Sequence, residues 1–240
     1  MTTTHERRKD DMQRPTGRPD RRLLIGVTAV VLLLSGACDG GEDAPTTDQQ
    51  PVATGASVNP ADAAAVKVAT GFLEEFGAFD VEQAMTYLAE DADITGLTGG
   101  SNGVEDLSLM TSFLEAQGYQ QTITSCEANT LASDTSVVCA YDFHGIRSDE
   151  IGRGPFSGGT FTITVRDGEI VRATRDWEIE EFSPQMWEPF AEWVSTTYPK
   201  DAAVMYNEDL TNFRLTEESI RLWDRRTREY VKEVQGSEGQ

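Results

Sequence analysis

Apolar residues recur at three- and four-residue spacing between residues 61 and 118 and at every second residue afterwards, a change of period from helix to strand. In "NPADAAAVKVATGFLEEFGAFD" the spacing of Val66, Ala69, Leu73 and Phe76 predicts a helix. Asn59 can cap it, Pro60 suits its first turn, Asp62 places a carboxylate near its free amides, and Gly77 can end it. "DVEQAMTYLAE" predicts a second, short helix, with Asp80 and Gln83 as a capping box and Ala84, Met85 and Leu88 as its apolar side. "DADITGL" reads as a short strand or bend, and Leu107, Met110, Phe113 and Leu114 carry a third helix in "VEDLSLMTSFLEAQG".

Past Gly118, "YQQTITSCEAN", "TSVVCAYDFHG", "GTFTITVRDGEI" and "EIVRATRDWEIEEF" predict four strands, the last two joined by the tight turn "RDGE". Phe161, Ile163 and Val165 alternate with Thr160, Thr162 and Thr164, so one face of the sheet needs a cover, which the three preceding helices can supply. From Ser183 the pattern is helical again. "SPQMWEPFAEWVSTTYPKD" carries Met186, Trp187, Phe190, Trp193 and Val194; "TEESIRLWDRRTREYVKEV" carries Ile220, Trp223, Tyr230, Val231 and Val234, with Leu215, Thr216 and Ile220 suited to a hydrophobic staple around an N-cap. Aromatics that dense need burial, on the main domain or against a partner chain.

The first residues follow a different rule. Seven basic and four acidic residues precede the 12-residue apolar run Leu23 to Leu34, which is shorter than the roughly 20 residues a helix needs to cross a bilayer. It has the proportions of a signal-peptide core, followed by the small residues Ser35, Gly36 and Ala37 and by Cys38. This segment resembles a bacterial lipoprotein signal, with Leu34, Ser35, Gly36, Ala37 and Cys38 at the lipobox places and Ser35 where leucine is commoner. The resemblance implies cleavage before Cys38, a diacylglycerol on its sulfur, and a protein held at the extracytoplasmic face of the cell membrane by N-terminal acyl chains. "RRLL" also resembles a reduced twin-arginine signal, which leaves the export route open between the two systems. Residues 39–60 contain three prolines and almost no large apolar side chain, the composition of a flexible tether.

Charge narrows the partners. Of 20 basic and 41 acidic residues, 7 and 4 lie in residues 1–37, leaving 13 against 37 afterwards. Such a surface repels phosphate backbones and anionic headgroups, which disfavours nucleic acid and direct adsorption to a membrane. The 16 arginines against 4 lysines suggest a high-GC, actinobacterial genome. With Cys38 acylated, Cys126 and Cys139 fall in consecutive predicted strands, where a cross-strand disulfide suits an oxidising compartment; two separate buried thiols are the alternative. The two histidines are His5, within the leader, and His144, so no multi-histidine metal centre is expected, nor any cofactor.

The run "FLEEFGAFDVEQAMTYLAEDADI", feeding a mostly antiparallel sheet, resembles the nuclear-transport-factor-2-like superfamily, which includes SnoaL-like polyketide cyclases and ketosteroid isomerases. Phe72, Phe76, Phe79, Asp80, Ala84, Leu88, Asp91 and Ala92 carry the resemblance. It implies an α+β fold in which three N-terminal helices close over a curved sheet as a cone with a central pocket, and a dimer through the open sheet face. The expected organisation is a leader at 1–37, a tether at 38–60, this domain at 61–182 and a helical extension at 183–240.

The family's proton-shuttle position falls at about Gly96 and its helix-one tyrosine near Phe72, neither of which can do that chemistry. Asp142 and His144 share one face of a predicted strand and are the remaining general-base candidates, while Tyr141 and Trp177 are candidate pocket-lining residues. "GRGPFSGG" lacks the lysine and hydroxyl of a phosphate loop. The expectation is a cell-envelope lipoprotein acting as a non-catalytic module that binds a small apolar ligand, an envelope protein or a second copy. The alternatives are a SnoaL-like isomerase, cyclase or hydrolase, and a purely structural pairing domain.

Overall fold

The computed structural model describes residues 59–99 and 103–238; the leader, Cys38 and the tether up to residue 58 lie outside the described residues. Helix α1 (Pro60–Gly77) begins as its sequence predicts: Asn59 Oδ1 accepts from the Ala61 amide at 3.0 Å, with proline at the first position and Asp62 in the first turn. Its inward face is Ala65, Ala69, Phe72, Leu73 and Phe76, so Val66 sits at the margin of the packed stripe and not within it. In α2 (Val81–Met85) Asp80 Oδ1 accepts from the Gln83 amide at 3.0 Å. This helix is shorter than the sequence pattern suggests. Leu88 leaves it to open strand β1 (Leu88–Ile94), where Ala92 and Ile94 are buried. The one-turn α3 (Thr95–Thr98) follows, and α4 (Val104–Ala116) buries Leu107, Met110, Phe113 and Leu114 as its period predicts.

The four alternating segments form β2 (Gln120–Leu131), β3 (Asp134–His144), β4 (Phe156–Arg166) and β5 (Glu169–Asp176). Sheet order is β1-β5-β4-β3-β2, antiparallel except for β1, which lies parallel to β5 at one edge. Asp167 and Gly168 both take positive φ, 51° and 87°, the backbone a two-residue hairpin requires, which explains the "DG" pair. Register shifts between Ile123 and Ser125, Tyr141 and Phe143, and Thr164 and Val165 interrupt the ladders, and bulges of this kind bend strands and increase their twist. Phe161, Ile163 and Val165 are buried under α1 while the alternating threonines face outward. Cys126 and Cys139 are direct cross-strand partners and form a disulfide with Cα atoms 4.1 Å apart. The fold is α+β: helices packed on one face of a mostly antiparallel, open five-stranded sheet, with a helical C-terminal extension.

That extension comprises α5 (Ile179–Phe182), a π-helical turn at Ser183–Trp187, α6 (Glu188–Thr197), α7 (Pro199–Met205) and α8 (Glu217–Glu238). Thr216 caps α8 by accepting from the Ser219 amide at 3.2 Å. Its aromatics turn inward. Trp223 meets Phe113 of α4 edge-on at 5.1 Å and contacts Phe190 at 5.2 Å and Tyr206 at 5.1 Å, all of them fully buried. A polar tie lies nearby: Arg147, just past β3, donates from Nε to Thr227 Oγ1 at 3.1 Å and from Nη2 to Asp224 and to the Ala116 carbonyl, while Nη1 pairs with Glu150.

Candidate functional site

The space between α1 and the sheet, where the family resemblance implied a pocket, holds the protein's own rings. Phe76 stacks on Phe72 and meets Phe161 edge-on at 6.0 Å; Tyr141 lies 4.6 Å from Phe161. Gly159 is required here, because a Cβ at that position would stand 2.4 Å from the Tyr141 ring. Each fully buried ring stabilises the fold by about 2–3 kcal/mol.

One charged side chain enters this aromatic layer. Arg175 is the inward residue that follows Ala173 on β5, and it is 8% exposed. Its guanidinium lies 4.3 Å from the Trp177 ring centroid, 5.7 Å from Phe76 and 5.9 Å from Tyr119. Nη2 reaches Met110 Sδ at 3.7 Å, a weak acceptor, and Nε and Nη1 have no hydrogen-bond partner. Magnitudes decide what this means. Burying an ionised group costs several kcal/mol, and each desolvated cation-π contact returns up to about 2. Three rings offset much of that cost, yet none supplies the in-plane acceptors that the N–H groups of a guanidinium call for.

Beside it, Tyr119 donates its hydroxyl to Gln121 Oε1 at 3.0 Å, and burial pushes its phenol up to about 12 against the opposing influence of Arg175. Burial also raises Tyr141, whose hydroxyl donates to the Asp176 carbonyl at 3.3 Å. Both phenols are hydrogen-bond groups at neutral pH and not bases.

Trp177 also lines a groove of about 770 Å³. It runs between the end of α4, the β5–α5 link and the C-terminal extension. Phe113, Trp177, Phe182, Trp187, Leu210 and Phe213 supply its apolar wall, with Glu188, Glu192 and Asp209 among the polar lining groups. The wall is locked together: Phe113 stacks on Phe213 at 4.1 Å, and Trp187 Nε1 donates to the Leu210 carbonyl at 3.1 Å. Ser183 donates to Glu188, and Asp209 accepts from the Thr211 hydroxyl and amide, which hold its carboxyl below the ordinary range. Ile179, 58% exposed, also stands in the lining. Behind the floor, Tyr206 Oη and Trp223 Nε1 are also buried without hydrogen-bond partners.

Of the residues the sequence singles out, Trp177 lines this groove; Tyr141 is 1% exposed and lies in the layer behind, within 6.0 Å of Phe143, which contacts Trp177 at 5.2 Å. Asp142 and His144 fall on the opposite sheet face from Tyr141, Phe143 and Arg175; His144 Nδ1 shares a 3.0 Å hydrogen bond with Ser148 Oγ. Gly96 bridges Thr174, and a Cβ there would lie 2.6 Å from Thr174 Cγ2, so this position cannot hold a shuttle carboxylate. Phe72 is fully buried. Among the described residues there is no group of three His, Cys, Asp or Glu side chains that could hold a metal ion. Cys38 lies outside the described residues. Sequence reasoning passed over Arg175, whose signal was its phase, two residues from the inward Ala173 and two from Trp177.

No family model and no curated protein matches the chain. Solved structures similar to it include a candidate polyketide cyclase from Xanthomonas campestris, 18% identical, covering 52% of this chain and 97% of its own, with a TM-score of 0.39. A candidate polyketide cyclase from Silicibacter is 18% identical over 50% of this chain and 93% of its own, with a TM-score of 0.38. A candidate ketosteroid isomerase from Shewanella frigidimarina is 14% identical over 47% and 94%, with a TM-score of 0.36. Likenesses at this level carry no weight for activity.

Proposed function

We propose that the protein is a cell-envelope lipoprotein, anchored through Cys38, whose folded domain is a non-catalytic module for a small amphipathic ligand. The observation that carries this reading is the aromatic-walled groove of about 770 Å³, within the size range of sites that enclose small organic molecules. Its wall is assembled from α4, the end of the sheet and the C-terminal extension, so the extension serves to build the site as well as to complete the core. The acidic surface disfavours adsorption to anionic headgroups, and the 20 residues from Asp39 to Val58 separate the anchor from the first helix in sequence.

The test is titration of the mature protein with the neutral fluorescent probe N-phenyl-1-naphthylamine. Saturable binding is expected, and Ser195→Trp, which places an indole in the groove from a partly exposed lining position, should weaken it about tenfold or more. Probe affinity unchanged by that substitution would remove the groove as the site. Mass spectrometry of the native protein tests the anchor: an unmodified Cys38 thiol on an uncleaved chain would overturn it.

A further inference from the structure

We infer that Arg175 is a buried anion-recognition group behind the groove wall, and that the ligand is an organic acid with an apolar body, such as a medium-chain carboxylate. The inference rests on the groove reading above and names its ligand class. Three observations support it. Arg175 is more than nine-tenths buried with no carboxylate partner among the described residues, and its Nε and Nη1 make no hydrogen bond to them. Trp177 both covers the guanidinium and lines the groove. Trp177 is only partly buried and lies in the two-residue link between β5 and α5, and the proposal requires its indole to swing off the guanidinium, away from Tyr119 and Phe143, for a ligand to reach it.

A buried charge left unmatched by the protein is destabilising, and such groups persist where they perform a task other than holding the fold. A carboxylate supplies the missing acceptors and its charge offsets that of the guanidinium, which is the strong class of hydrogen bond. The lining acids Glu188, Glu192 and Asp209 oppose an anion at the mouth, but all three are exposed and subject to salt screening, whereas Arg175 is shielded from it. Binding of an acid should therefore hold or tighten as salt rises, the reverse of what a cationic ligand drawn by those same carboxylates would do.

The experiment is calorimetric titration of the mature protein with octanoate, octanol and octylamine, which share a tail and differ in headgroup. Octanoate is expected to bind about tenfold or more tightly than octanol, the increment of a charge-assisted hydrogen bond. Arg175→Met should abolish that preference and leave octanol binding in place. Arg175→Gln, which keeps polarity without charge, gives the same test if the methionine variant does not fold. Equal binding of octanoate and octanol, a preference for octylamine, or a preference for octanoate that survives both substitutions would overturn the inference and leave the groove reading standing. Absence of binding by all three, together with absence of probe binding, would remove both.

Discussion

Replacing Arg147 by alanine should detach the C-terminal extension from the sheet domain more than any other single polar change. The side chain is 10% exposed and reaches four acceptors. Glu150 and Asp224 are 44% and 46% exposed, so solvent screens those two ion pairs and each contributes less than about 1 kcal/mol. The bonds to Thr227 Oγ1 and the Ala116 carbonyl lie in the buried part of the contact and are worth about 1.5 kcal/mol each. Loss of the packed aliphatic stem adds about 1 kcal/mol, and relief from holding a guanidinium out of water offsets a comparable amount. The net expectation is about 3 kcal/mol, or a melting temperature lower by about 9 °C for a domain of this size. Urea unfolding followed by tryptophan fluorescence measures it, since Trp223 sits one turn from Thr227 and reports on this contact. A double-mutant cycle with Thr227→Val should show coupling of about 1 kcal/mol. A loss below about 1 kcal/mol with no coupling would mean that the aromatic seam alone holds the extension.

Two further outcomes follow from chemistry elsewhere in the sheet. The Cys126–Cys139 disulfide closes a loop with a sequence separation of 13, for which the chain-entropy relation gives about 3 kcal/mol; the double serine variant should lose about that much in denaturant unfolding, and an unchanged midpoint would show that the hairpin already restricts the unfolded chain. Bonds from Arg166 and Ser133 hold the Asp134 carboxyl at about 2, below its ordinary 3.8. Because the folded value is the lower one, the interaction is complete above the ordinary value and is lost as pH falls from there through about 2. A carbon-detected NMR titration should find that midpoint, and Arg166→Ala should return it toward the ordinary range.

How much of this was legible depended on whether the determining interaction was local. The start of α1 was readable because Asn59, Pro60 and Asp62 act within one turn, and the four antiparallel strands because alternation and a "DG" turn are properties of neighbours in the chain. The ending of α2 was not: Leu88 fits a helical stripe, but pairing with Ile170, 82 residues later, draws it into a strand. The groove has no local signature at all, since Phe113, Trp177, Trp187 and Phe213 come from separate segments, each of which reads as ordinary core on its own.

Arg175 failed for a different reason. A binary pattern sends every charged residue outward, and the register shift between Thr164 and Val165, opposite Arg172 and Ile170, blurs the phase from which the exception could be read. Local rules agree with one another where a sequence serves only its fold, so a residue that breaks the pattern and leaves buried donors unmatched marks the place where another demand was met. That is why the misfit at Arg175, an inward charge among Phe76, Tyr119 and Trp177, points to a ligand with more force than the polar cluster of Asp142 and His144, which obeys the outward rule of its strand.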